Sequence, residues 1–86
     1  MSDGYDLLMN AAKAVRERGK VYGSMHTNML RTAQMWSAIL GYTITPAQVA
    51  MCMIALKMAR LTQTPDHEDS VVDIAGYAAV LRECQK

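Results

Sequence analysis

Apolar residues recur at helical spacing in four stretches of the chain, separated by short polar or glycine-containing segments. The first stretch runs from Tyr5 to about Arg18, with Asp3 as its expected N-cap and Gly19 as its expected stop. A second glycine, Gly23, follows closely, and we interpret the segment between the two glycines as a flexible turn. The pattern therefore predicts one helix followed by a loop that carries basic and aromatic residues.

The second and third stretches are joined by a short polar link. The second runs from Met25 to Leu40, and Gly41 has the position of a helix-ending glycine. Thr45 and Pro46 then form an N-cap and first-turn pair, which starts a third helix that reaches about Thr62. This third helix is apolar almost all the way round, so we expect it to be buried on several sides. Because so few other helices are available to cover it, we expect a second subunit to do so.

The fourth stretch begins after Thr64-Pro65, which ends the third helix. Asp66 and Asp69, three residues apart, are interpreted as an acidic capping box, and a wide apolar face continues to about Cys84. Four helices with short connections favour a bundle. The sequence therefore predicts an all-α fold, with one helical domain over residues 1–86 that forms a small four-helix bundle and oligomerises.

The composition narrows the class of protein that the chain can be. Its 86 residues have room for a single small domain, and we expect self-association to add stability to so small a core. The longest apolar run, residues 49–56, is far shorter than the roughly 20 residues of a membrane span, and the polar N-terminus carries no secretory signal. A formal net charge of +1 does not favour duplex nucleic acid as a partner. We therefore expect a cytoplasmic homo-oligomer with no membrane partner.

Lys57 and Arg60 interrupt the apolar third helix, and their spacing places both on one face. On the fourth helix, Asp69 and Asp73 also share a face, and two explanations of these four charges stay open. In one, they form interhelical ion pairs or mark the solvated edge of the bundle. In the other, they line a cleft for a phosphorylated ligand, in which the two cations contact phosphates. The two carboxylates then accept hydrogen bonds from ribose hydroxyls or orient the cations.

The glycine segment and the start of the second helix supply further candidates for a ligand site. Those that we expect to close over a ligand are Lys20, Tyr22, His26 and Asn28. A P-loop is excluded, because its glycine and lysine spacing and its preceding strand are missing. Tyr22, Trp36 or Tyr77 offers a stacking face for a base, although an aromatic residue on a helix is more often part of the core. Arg16 and Arg18 are interpreted as complements to the dipole at the end of the first helix.

Catalytic chemistry is harder to place in this sequence. Magnesium-assisted hydrolysis needs several carboxylates that converge on the metal, yet no acidic residue occurs between Glu17 and Asp66. The acidic residues that lie close together are Asp66, Glu68, Asp69 and Asp73. Helix capping explains part of that group, so we predict no catalytic residue, no cofactor and no metal ligand.

Several segments resemble a small domain of unknown function that is carried by tailed phages. The matching segments are Arg18–Gly23, Asn28, Trp36–Ser37, Leu56–Leu61, Pro65–His67 and Asp69–Tyr77. That family is similar, more distantly, to phage domains associated with nucleotide modification and to all-helical nucleotide pyrophosphatases with ExxE and ExxD metal motifs. The first of these motifs has no counterpart in this chain. The resemblance therefore implies nucleotide binding more strongly than hydrolysis.

By analogy, the chain is similar to the small oligomeric phage proteins known as sponges, which bind immune signals without turning them over. The resulting expectation is a phage anti-defence protein in the cytoplasm of an infected bacterial host. It would bind and sequester a nucleotide-derived immune signal, a cyclic nucleotide or an ADP-ribose derivative, without cleaving it. Two alternatives stay open: a metal-dependent nucleotide pyrophosphatase-like enzyme that uses Glu68, Asp69 and Asp73, and a structural helical interaction module.

Overall fold

The computed structural model describes residues 3–22 and 24–85, and it leaves the side chains of Val21 and Tyr22 undescribed. Its helices are α1 (Gly4–Tyr22), α2 (Met25–Leu40), α3 (Pro46–Gln63) and α4 (Glu68–Cys84). These residues form four helices and no strand, which confirms the predicted all-α class and the number of helices. No helix among them is long and apolar enough to cross a bilayer. Association between subunits stays a prediction.

α1 is longer than predicted. Asp3 caps its start as expected, since the Asp6 amide donates to Asp3 Oδ1 at 2.9 Å. The predicted stop at Gly19 and the turn that follows it are wrong, because the helix continues through Gly19 to Tyr22. A glycine inside a helix costs only about 1 kcal/mol, so it ends a helix reliably only where the backbone needs a positive φ. Lys20 therefore lies on the last turn of α1 instead of on a flexible loop.

The link between α2 and α3 follows the prediction closely. α2 ends at Gly41, whose φ of 81° places it in the left-handed region and whose amide donates to the Ser37 carbonyl at 2.9 Å. Thr45 caps α3 in a full capping box: the Gln48 amide donates to Thr45 Oγ1 at 3.1 Å, and the Thr45 amide donates to Gln48 Oε1 at 2.9 Å. Pro46 follows in the first turn, where it needs no amide hydrogen.

The start of α4 corrects the predicted acidic capping box. His67, and not Asp66, is the N-cap, and its Nδ1 accepts from the Ser70 amide at 3.3 Å. The same Nδ1 lies 2.7 Å from the Ser70 hydroxyl. Ser70 is 1% exposed, so its hydroxyl requires an internal partner, and the imidazole supplies it. Asp66 lies in the turn before the cap.

α4 is the central helix of the bundle. It contacts each of the other three helices, most extensively α3, whereas α1 and α3 do not contact each other within the described residues. The buried apolar side chains among the described residues are small ones: Ala11, Ala33, Val49, Ala50 and Val80. Within the described part of one chain, α3 is covered on the side that faces α2 and α4. The expected burial of α3 on several sides is therefore not reached in a single subunit.

Candidate functional site

The two charged pairs that the sequence singled out are not equivalent in the structure. Lys57 Nζ lies 3.0 Å from Asp73 Oδ2, and the two side chains are 13% and 34% exposed. This ion pair joins α3 to α4. Arg60 and Asp69 are exposed side chains at the surface of the same two helices. The ammonium group of Lys57 is thus directed at a carboxylate of its own chain.

Two of the predicted ligand residues line two adjacent cavities. Asn28 on α2 lines the larger cavity, and Asp73 on α4 lines the smaller one. The remaining predicted residues whose side chains are described line neither cavity: Lys20, His26, Lys57, Arg60 and Asp69. The backbone of Tyr22 belongs to the end of α1, but its side chain lies outside the described part of the structure.

The cavities form a groove between α1, α2 and α4, which we call the α1–α2–α4 groove. Its larger part has a volume of about 320 Å³ and its smaller part about 50 Å³. Arg18, Met25, Tyr77 and Val80 line both parts, so the two are adjacent. The polar residues of the groove are Arg18, Asn28, Arg31, Thr32, Asp73 and Tyr77.

Helical geometry fixes the cationic end of the groove. Because α1 continues through Gly19, Arg18 is held on a regular helix near its C-terminal end. Asn28 and Arg31 lie three residues apart on α2, so they share the face that borders the groove. Thr32 extends this face, and its hydroxyl donates to the Asn28 carbonyl at 2.9 Å. Two guanidinium groups from different helices thus flank one cavity.

The opposite wall of the groove is largely apolar. Tyr77 on α4 is half-buried and borders both parts of the groove. Around the smaller part, the chain supplies mainly small apolar side chains, among them Ala14, Val15 and Val72, beside Gly76. A planar apolar group fits such a wall, whereas an anionic group fits the guanidinium groups. The groove therefore suits a ligand that carries both.

Sequence reasoning missed the role of two arginines in this groove. Arg18 was assigned to the helix dipole, and Arg31 was not singled out at all. The sequence did contain a signal for Arg31. No other Lys or Arg occurs in the α2 sequence, and Arg31 follows Asn28 by three positions. Three aromatic residues were considered for stacking. Of the two whose side chains the structure describes, Tyr77 lines the groove and Trp36 does not.

The acidic residues that the structure describes do not assemble a metal site. Within residues 3–22 and 24–85, no group of three or more His, Cys, Asp or Glu side chains is arranged to hold a metal ion. Glu68 and Asp69 lie exposed in the first turn of α4. Asp73, one turn further on, is the partner of Lys57.

Comparison with known sequences places the chain among phage proteins. Residues 6–85 match a family described as a domain of unknown function, DUF6378. The Gene 55 protein of Mycobacterium phage L5 is 46% identical over 70 residues, which cover 80% of this chain and 45% of that protein. The Gene 55 protein of Mycobacterium phage D29 is 42% identical over 62 residues, 72% of this chain and 41% of that protein.

The chain therefore spans less than half the length of these relatives. No solved structure matches it. The matches confirm the predicted resemblance to a small phage domain of unknown function. Its association with nucleotides stays a prediction.

Proposed function

Because the chain belongs to the DUF6378 family and its relatives are phage proteins, we propose that it is an anti-defence protein that sequesters a nucleotide-derived immune signal of the host. The observation that supports this proposal is the meeting of Arg18, Arg31 and Tyr77 in the α1–α2–α4 groove. A cyclic nucleotide or an ADP-ribose derivative presents phosphates and a planar base, which are the two groups that these side chains suit. Binding without cleavage would remove the signal from its receptor.

The phosphates contact the two arginines in this proposal. A guanidinium group matches phosphate oxygens with paired donors, and Arg18 and Arg31 approach from different helices. The sequence had favoured Lys57 for this role. Since Lys57 Nζ lies 3.0 Å from Asp73, its charge is already balanced within the protein, and the arginines replace it.

The base and sugar occupy the rest of the groove. Tyr77 supplies a stacking face, and stacking of a base on an aromatic side chain contributes roughly 1–3 kcal/mol. The amide of Asn28 both donates and accepts hydrogen bonds, so it serves a ribose hydroxyl or a base edge equally well. A volume of about 320 Å³ lies at the small end of the roughly 300–1,000 Å³ that ligand pockets span, which suits one nucleotide unit.

A metal-dependent pyrophosphatase is the less favoured alternative. Such an enzyme needs carboxylates close to the phosphates, and the acid among the residues that line the groove is Asp73. Its Oδ2 faces Lys57, which competes with a metal ion for that oxygen. We therefore propose that the ligand leaves the groove unchanged.

Isothermal titration with cyclic mononucleotides, cyclic dinucleotides and ADP-ribose derivatives tests the proposal. Arg31→Ala should weaken binding by about tenfold or more, because hydrogen bonds to a charged group contribute roughly 1.5–3 kcal/mol. Arg60→Ala is the matched control, since Arg60 is an exposed arginine that does not line the groove. Absence of binding across the panel, or equal losses in both variants, would contradict the proposal.

The fate of the ligand separates a sponge from an enzyme. The protein is loaded with the ligand in the presence of Mg²⁺ and then denatured by heat, and the released compound is analysed by chromatography. A sponge returns the intact ligand. A pyrophosphatase returns a cleaved product, whose yield should fall in an Asp69→Asn variant.

A further inference from the structure

The outer face of α3 is apolar and open. We define this α3 outer face by six exposed residues: Met51, Cys52, Ala55, Leu56, Met58 and Ala59. The two methionines are each 57% exposed and the leucine is 48% exposed. The sequence holds no acidic or basic residue between Arg31 and Lys57. Depletion of charge marks the centres of subunit interfaces, so this face has the composition of one.

The face is a continuous strip along one helix. Five of these residues recur in steps of three and four, which places them on the side of α3 that faces away from the buried Val49 and Ala50. Leu56 follows Val49 by seven residues, about two helical turns, so it lies at the edge of the strip. Among the described residues that line the α1–α2–α4 groove, none belongs to α3. The strip is therefore a separate surface, and its role is independent of the proposed ligand.

We propose that a second copy of this chain docks on the α3 outer face, antiparallel and with the two-fold axis at Ala55. Residues at equal distances on the two sides of Ala55 then meet across the axis. Four residues away, Met51 meets the partner's Ala59. Three residues away, Cys52 meets the partner's Met58. Each methionine thus packs against a small side chain, and the spacing along the helix makes the face complementary to itself.

Other occupants fit this strip less well. A parallel copy would place Met51 against its own equivalent, large on large, and would align the two helix dipoles unfavourably. A nucleic acid or a strongly charged protein would find no charged side chain in the strip to pair with.

Cross-linking tests the register of the pair. In a Cys52→Ser, Cys84→Ser background, Ala55→Cys should form an intermolecular disulfide on mild oxidation, because the two copies of residue 55 meet at the axis. Met51→Cys is the matched control: in the antiparallel pair its two copies lie roughly 12 Å apart along the helix axis, too far for a disulfide. A disulfide at residue 51 as strong as that at residue 55 would overturn the antiparallel arrangement.

Sedimentation tests the association itself. The wild-type chain should sediment at twice its 9.5 kDa mass, and Ala55→Glu should sediment as a monomer with an unchanged helical circular dichroism spectrum. Leu8→Glu is the control, since Leu8 is an exposed apolar residue of α1 and lies outside the strip. A wild-type monomer at every concentration, or dissociation by Leu8→Glu as well, would overturn the proposed dimer. Neither result would bear on ligand binding in the α1–α2–α4 groove.

Discussion

Nζ of Lys57 lies 3.0 Å from Oδ2 of Asp73, and Asp73 also lines the smaller part of the α1–α2–α4 groove. One carboxylate therefore serves two regions of the molecule. Through Lys57 it joins α3 to the central helix, and through its position on α4 it borders the groove. Because Lys57 is only 13% exposed, its ammonium group depends on this partner.

Removal of the carboxylate should therefore destabilise the fold. Asp73→Asn leaves a mostly buried ammonium group without its counter-charge, and we expect a loss of about 2 kcal/mol, between the values for surface and buried pairs. Urea denaturation measures it. Asp69→Asn, which removes an exposed charge from the first turn of the same helix, should cost less than about 1 kcal/mol through the helix dipole. Equal effects of the two substitutions would show that the ion pair contributes nothing.

The hydroxyl of Ser37 should contribute comparable stability at the α2–α3 link. It donates to the Ala33 carbonyl at 2.7 Å and accepts from the Ile44 amide at 2.8 Å. Ser37→Ala leaves that part-buried amide without its partner, which costs about 1–2 kcal/mol. The control is Thr62→Ala, whose hydroxyl bonds to the Ala59 carbonyl at an exposed site. Thermal denaturation should show a lower midpoint for the first variant only.

Local chemistry explains which parts of the fold the sequence predicted. The bounds of α2 and the start of α3 depend on Gly41 and on the capping box of Thr45, and the groups involved lie within four residues of each other. At Gly19 no comparable local interaction ends the helix. Because a helix tolerates glycine, α1 continues through it, and the predicted stop was wrong. At the start of α4, both Asp66 and His67 were possible N-caps. His67 is the N-cap in the structure, and its imidazole is also the partner of the buried Ser70 hydroxyl.

The candidate site was harder to predict because it depends on tertiary packing. Lys57 stood out from apolar neighbours in the sequence, but the position of α4 decides that it meets Asp73. Arg18 and Arg31 lie on different helices, and no periodicity within one helix shows that they border the same groove. Tyr77 was predictable as an aromatic candidate, while its choice over Trp36 required the arrangement of the three helices.

The thiol of Cys84 should need a higher pH to react in the folded protein than in the unfolded chain. Burial raises the pKa of its thiol from the ordinary value, and the neighbouring charge of Glu83 raises it further. Alkylation requires the thiolate, so the reaction of folded protein should reach half its maximal rate at a higher pH than that of unfolded protein. A Cys52→Ser variant, which keeps Cys84 as the one remaining cysteine, allows this measurement with iodoacetamide. Identical pH profiles in buffer and in urea would contradict the shift.

Gly76 offers a way to change the groove without weakening the fold. A Cβ atom at this position would lie 3.7 Å from Cγ2 of Val15, an ordinary van der Waals contact, and would enter the smaller part of the groove. Gly76→Ala should therefore raise the free energy of unfolding by up to about 1 kcal/mol through helix propensity. If the ligand reaches that part of the groove, its affinity should fall at the same time.

Gly19→Ala is the matched control for this substitution. It changes a glycine inside α1 at a site where a Cβ atom meets nothing within 4 Å, so it should stabilise the helix and leave binding unchanged. Denaturation and titration on the same two variants separate stability from affinity. Lower stability in Gly76→Ala would show that α1 and α4 leave no room for the methyl group. Unchanged affinity would confine the ligand to the larger cavity between Arg18 and Arg31.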